Sequence, residues 1–107
     1  MAVSKEAIAF ALDLFSGLGP LTTRNMMGGL CIYRDGIIFA LLHADGAILL
    51  KGKGDMATRM DAEGWQRWSD TRDNGKGGAM PYWFLPESAL DDPQEATALA
   101  RAALACL

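Results

Sequence analysis

The side chains in this chain best able to do chemistry are few and scattered. His43 is the sole histidine, and it stands beside an Asp45-Gly46 turn signal rather than among other ligands. A metal centre or a Cys-His nucleophile needs further donors or an orienting base within reach, so His43 reads as a surface or turn histidine. Cys31 and Cys106 are far apart and form no CxxC. Cys31 lies in an apolar, strand-like stretch, and both cysteines read as small packing residues rather than a redox pair. Neither a G-x-S-x-G elbow nor an H-E-x-x-H is present, so the two simplest signatures of a hydrolase are missing.

Three looser constellations each have a plainer account. Gly52, Gly54, Gly75, Gly77 and Gly78 invite a phosphate-loop reading, but Gly75-Lys76 lacks the earlier glycine and the following Ser or Thr of a Walker loop. Flexible loops needing positive φ explain them better. The acidic group Glu87, Asp91, Asp92 and Glu95 suits helix capping and the helix dipole before it suits a cation. Arg24, Lys51, Lys53 and Arg59 could form a basic patch, with Trp65, Trp68, Tyr82 and Trp83 as stacking faces for single-stranded nucleic acid. The net charge of −3 and the spread of these residues argue against direct nucleic-acid binding. No catalytic residue, metal or cofactor is assigned.

The elements that must position these residues are legible in outline. Ser4 suits a helix cap, and Ile8, Ala11, Leu12, Phe15 and Leu18 follow at helical spacing until Gly17 and Gly19-Pro20 stop the run. After a short polar stretch over 21–25 come Met26-Met27-Gly28-Gly29 and three strand-like runs, Leu30 to Tyr33, Ile37 to Leu42 and Ala47 to Lys51. Asp35-Gly36 and Asp45-Gly46 link them, which predicts an antiparallel meander. Asp55 to Glu63 reads as a short helix ending at Gly64. Trp65 to Trp68 and Met80 to Leu85 read as a strand pair around a polar hairpin loop, with Pro86 ending the second. The last helix has the clearest start: Asp92 as cap, Pro93 at the first helical position, and Glu95 placed to reach back as in a capping box. Ala96, Leu99, Ala100, Ala103, Leu104 and Leu107 then form one stripe facing a core or a partner.

The expected fold class is therefore α+β, a two-layer sandwich in the order α-β(3)-α-β(2)-α with a mainly antiparallel sheet, because strands and helices are grouped rather than alternating. With 107 residues, half of them apolar, one domain over residues 1–107 is the expectation. No apolar run approaches the roughly eighteen residues of a membrane span. The N-terminus moves straight into a helical pattern without a secretion signal, which predicts a cytoplasmic protein.

Met26-Met27-Gly28-Gly29, Tyr33-Arg34-Asp35-Gly36, Phe39-Ala40-Leu41, Leu50-Lys51, Met80-Pro81-Tyr82, Pro86-Glu87 and Leu90-Asp91-Asp92-Pro93, taken together and in this order, resemble the N-terminal domain of TfoX/Sxy competence regulators. The likeness covers nearly the whole chain. It implies a secretion-chaperone-like two-layer fold and, for two-domain members, activation of DNA-uptake genes alongside a cyclic-AMP-dependent activator. On this likeness the chain is expected to correspond to the first domain alone, and it departs locally: Met27 replaces the usual aromatic before Gly-Gly, and Leu49 replaces the tyrosine often found before Leu-Lys. Fold transfers more safely than function across such a likeness.

Gly28-Gly29 beside a strand suggests a bulge or a close backbone approach. Core packing is the favoured reading of Met26 and Met27, with an adaptable contact surface as its rival. The candidate partner or ligand surface comprises Arg24, Met26, Met27, Gly28, Gly29, Lys51 and Tyr82. The leading expectation is a noncatalytic regulatory or adaptor module that binds another protein, such as a component of the transcription machinery, and homodimerisation through a sheet edge or the alanine-rich last helix is a related expectation. The alternative is a small-molecule-binding or weakly catalytic domain with a pocket near Arg24, Lys51 and Tyr82.

Overall fold

A computed structural model describes residues 3–26, 28–70 and 78–107, without the side chains at 70 and 79. The first helix, α1 (Lys5–Leu14), begins where expected, and the Ser4 hydroxyl accepts a hydrogen bond from the Ala7 amide at 3.1 Å. It runs into a 3-10 turn over Ser16–Leu18. Carbonyls at a helix end have no partner within the helix, and here distant side chains supply partners. Thr97 Oγ1 donates to the Leu14 carbonyl at 3.4 Å, Arg101 Nη2 to Gly17 at 2.8 Å and Arg34 Nε to Leu18 at 2.7 Å.

The polar stretch that carried no assigned element is a strand, β1 (Thr22–Met26), followed by β2 (Gly29–Arg34), β3 (Ile37–His43) and β4 (Ile48–Lys51). The expected group of three strands is thus four. All five side chains of β1 are exposed, so it lacks the alternation that reveals a half-buried strand. The two Asp-Gly signals make the expected turns by different means. Asp35 and Gly36 both have positive φ, 53° and 78°, the requirement of a tight two-residue hairpin. Asp45 and Gly46 belong to a longer loop, in which the Ala47 amide donates to Asp45 Oδ1 at 2.9 Å and Gly46 has φ 93°.

Helix α2 (Asp55–Ala62) follows, then β5 (Arg67–Asp70), β6 (Gly78–Phe84), the single turn α3 (Glu87–Leu90) and α4 (Pro93–Ala105). Position Gly54 precedes α2 with φ 59° and no side-chain cap. The start of β5 is two residues later than expected, and the reading of a polar hairpin loop falls largely on residues 71–77, outside the described residues. Asp92 caps α4, accepting from the amides of Gln94 at 3.1 Å and Glu95 at 3.3 Å. The reciprocal bond from Glu95 is not made. The Asp92 amide already donates to the Ala89 carbonyl at 3.2 Å, so the donor a capping box would use is taken.

The six strands form one antiparallel sheet in the order β1-β2-β3-β4-β6-β5. The hairpin β5/β6 joins the meander through β6, which places β1 and β5 at the edges. One face of the sheet packs against the helices. Leu30, Ile32, Phe39, Leu42, Ile48, Leu50 and Trp83 meet Leu14, Phe15, Met56, Met60 and the α4 residues Ala96, Ala100 and Ala103 there. A register shift after Ile32 lets Phe39 join this layer, where it meets Phe15 edge-on at 5.3 Å between ring centroids. Trp83 donates its indole N–H to Asp61 Oδ1 at 2.9 Å, and Gly52 is buried beneath it, where a Cβ would run into the Trp83 ring. Gly52 is a packing glycine rather than a loop glycine. No helix among the described residues is long and apolar enough to cross a membrane.

Candidate functional site

The face of the sheet opposite the helices has its own apolar centre, Cys31, Leu41, Leu49 and Tyr82, all buried. Strand pairing arranges it in rows. Arg24 lies opposite Cys31, Cys31 opposite Leu41, Leu41 opposite Leu49, and Leu49 opposite Phe84. A neighbouring row brings Met26 opposite Gly29 and Gly29 opposite His43, and Lys51 lies opposite Tyr82. Because side chains two apart on a strand share a face, Arg24, Met26, Gly29, Lys51 and Tyr82 all belong to this one face. Gly28, with φ 72°, sits in the turn at its end, and Met27 lies outside the described residues.

Around the buried centre stand half-buried Tyr33, Ile38, Trp68, Met80 and Phe84. The Tyr33 hydroxyl approaches Met26 Sδ at 3.8 Å. Trp68 meets His43 and Tyr82 edge-on, with ring centroids 5.9 Å and 6.2 Å away. His43 also belongs to the turn, with Nδ1 3.2 Å from Asp45 Oδ1. The backbone amide of Ala47 is the main reason the Asp45 carboxyl titrates below its ordinary value.

Burial raises the Cys31 thiol, and burial, with Cys31 and Tyr33 nearby, pushes the Tyr82 phenol up to about 12. Both groups are neutral at pH 7, so Cys31 is a packing thiol here rather than a thiolate nucleophile. Cys106 is half-buried.

The expected core packing of Met26 is overturned: its side chain is 43 % exposed at the end of the edge strand. Gly29 does make the expected close approach, since a Cβ there would collide with the Leu42 carbonyl oxygen. The bulge lies further along, between Ile32 and Tyr33. Arg24 lines a shallow groove with Thr22, Thr23, Tyr33 and Gly36. Three strand spacings, roughly 14 Å, separate β1 from β4, so Arg24 and Lys51 bracket a broad surface. Arg59 is on α2, whose Met56 and Met60 pack against the other face of the sheet, and it donates to Glu63 Oε2 at 2.9 Å, so it does not join Arg24 and Lys51 on this face.

Sequence reasoning missed Tyr33, Ile38, Met80 and Phe84 as members of this surface. For Tyr33 and Ile38 the available signal was the unbroken apolar character of Leu30 to Tyr33 and Ile37 to Leu42. A strand apolar at every position is covered on both faces, whereas a half-buried one alternates.

The family model described as the TfoX N-terminal domain matches residues 13–107. The chain belongs to this family. The match takes in every strand among the described residues of the TfoX N-terminal domain and both faces of its sheet. No curated protein matches the chain. Leu49, the residue that departs from the tyrosine often found before Leu-Lys, is fully buried at the centre of the face between Leu41 and Phe84.

Proposed function

We propose that this TfoX N-terminal domain is a noncatalytic regulatory or adaptor module that binds another protein, a component of the transcription machinery, through the sheet face opposite the helices. The observation that carries this reading is the make-up of that face. Half-buried aromatic, isoleucine and methionine side chains surround a buried centre, and exposed Met26 and Arg24 extend the surface onto the edge strand. Aromatic residues, methionine and arginine are the types enriched where proteins meet. Arg24 and Lys51 favour a partner presenting carboxylates around an apolar contact. Membership of the family, and the regulatory role its resemblance implies, support transcription as the process served.

The test is an affinity pull-down of the tagged protein at native abundance from its own host, nuclease-treated, with partners quantified by mass spectrometry. The wild type is compared with Arg24→Glu/Lys51→Glu and with a tag-only control. The expected result is a transcription factor or polymerase subunit recovered by the wild type and lost from the variant, whose circular dichroism is unchanged. Recovery of nothing specific, or equal recovery by the variant, would overturn the reading. Recovery of untagged copies of the chain alone would make a second copy the partner.

A further inference from the structure

A second surface, of opposite charge, lies where the end of α2 and the segment leading into β5 meet the end of β6 and the starts of α3 and α4. It is a groove of about 600 Å3, within the range of sites that enclose a side chain or a small ligand. Its lining includes Trp65, Phe84, Leu85, Pro86 and Leu99. Leu85 and Leu99 belong to the core, so that part of the groove is set by the packing of the domain. Trp65 is half-buried and held at both ends of its residue. Its backbone amide donates to the Met60 carbonyl at 3.0 Å, and its indole N–H donates to Glu63 Oε1 at 3.2 Å.

Three carboxylates, those of Glu63, Glu87 and Glu95, line the same groove. The sole cation among its lining residues, Arg59, is already engaged by Glu63 at 2.9 Å. Hydrogen bonds from Arg59 and Trp65 hold Glu63 below the usual carboxylate range, which keeps it ionised at neutral pH. Glu87 and Glu95 lie in the first turns of α3 and α4, where the helix dipole favours negative charge. That accounts for their presence without neutralising the surface they make. These carboxylates repel phosphate backbones, and Trp65, Phe84 and Pro86 beside them offer apolar contact that a bare cation would not use.

We propose that this groove binds a basic segment of a partner protein, seating one bulky apolar side chain against Trp65 and Pro86 while flanking lysine or arginine residues pair with Glu87 and Glu95. An apolar anchor inside a ring of complementary charges is a common arrangement in peptide recognition. The groove adjoins the sheet face at Phe84, but Trp65, Pro86, Glu87 and Glu95, on which the proposal rests, are not part of that face.

The test is selection of a random dodecapeptide library displayed on phage against the immobilised protein, with the selected peptides then measured by fluorescence anisotropy. The expected result is enrichment of peptides with a net positive charge around an aromatic residue or leucine. Their affinity should fall by about tenfold or more in Glu87→Lys/Glu95→Lys and stay unchanged in Arg24→Glu/Lys51→Glu. If charge reversal at the two helix starts disturbs folding by circular dichroism, Glu87→Gln/Glu95→Gln replaces it, with a smaller loss expected. Absence of enriched basic peptides, or binding of basic peptides that is indifferent to the Glu87 and Glu95 variants, would overturn the proposal.

Discussion

Gly28 and Gly29 are adjacent glycines kept for different physical reasons. Gly28 has positive φ and open space around its Cα, so its constraint is conformational. Gly29 is enclosed: an added methyl group would meet the Leu42 carbonyl oxygen and lie 3.2 Å from the His43 Cα. Backbone cannot yield as a flexible side chain does. Gly29→Ala is therefore expected to lower stability by about 1–3 kcal/mol, the range for forcing an extra methyl group into a packed site, as measured by urea denaturation. The close approach was legible in the Gly-Gly pair beside a strand, but the exposure of Met26 was not. Methionine is compatible with a core or a surface, and only its place at the end of an edge strand decides between them.

At the scale of elements, α4 shows how far local signals reach. Its start was legible because an N-cap acts through bonds to residues two and three positions away. Asp92→Ala is expected to cost about 1 kcal/mol, whereas Glu95→Gln, which breaks no reciprocal cap, is expected to stay within about 0.5 kcal/mol. Thermal unfolding of the two variants side by side checks both values. The alanine stripe left open whether α4 faced a core or a partner. The structure commits Ala96, Ala100 and Ala103 to the protein's own core, where small side chains let the helix lie close to β3 and β4. Strand β1 was invisible because hydrogen bonding to β2, rather than burial of its side chains, makes it a strand.

At the scale of the molecule, one sheet serves two apolar clusters, and the smaller holds two ionisable groups in their neutral forms. Cys31 titrates above its ordinary 9.0, and Tyr82 rises from 10.0 to about 12. In the alkaline range the folded protein therefore keeps protons that the unfolded chain releases, and the unfolded state gains from their loss. The contribution of these groups is complete below about pH 9 and declines as pH rises, with the Tyr82 part lost between 10.0 and about 12. Midpoints of thermal unfolding measured across pH 8 to 12 should fall with pH. The fall should be shallower above pH 10 in Tyr82→Phe. An equal slope in the variant would assign the decline to other groups.

The sequence by itself determined the α+β class, the two Asp-Gly reversals, the start of α1 and the cap of α4. Each of these rests on bonds between residues a few positions apart, or on an apolar period written along one element. Tertiary structure decided what depends on partners distant in the chain. It added β1 at the edge, set β6 against β4 across the length of α2, and buried Gly52 under Trp83. The same pairing gathered Arg24, Met26, Lys51 and Tyr82 on one face and brought Glu63 near Glu87 and Glu95 around one groove. Neither surface is contiguous in sequence, because strand pairing and helix packing, which act through space, create their adjacency.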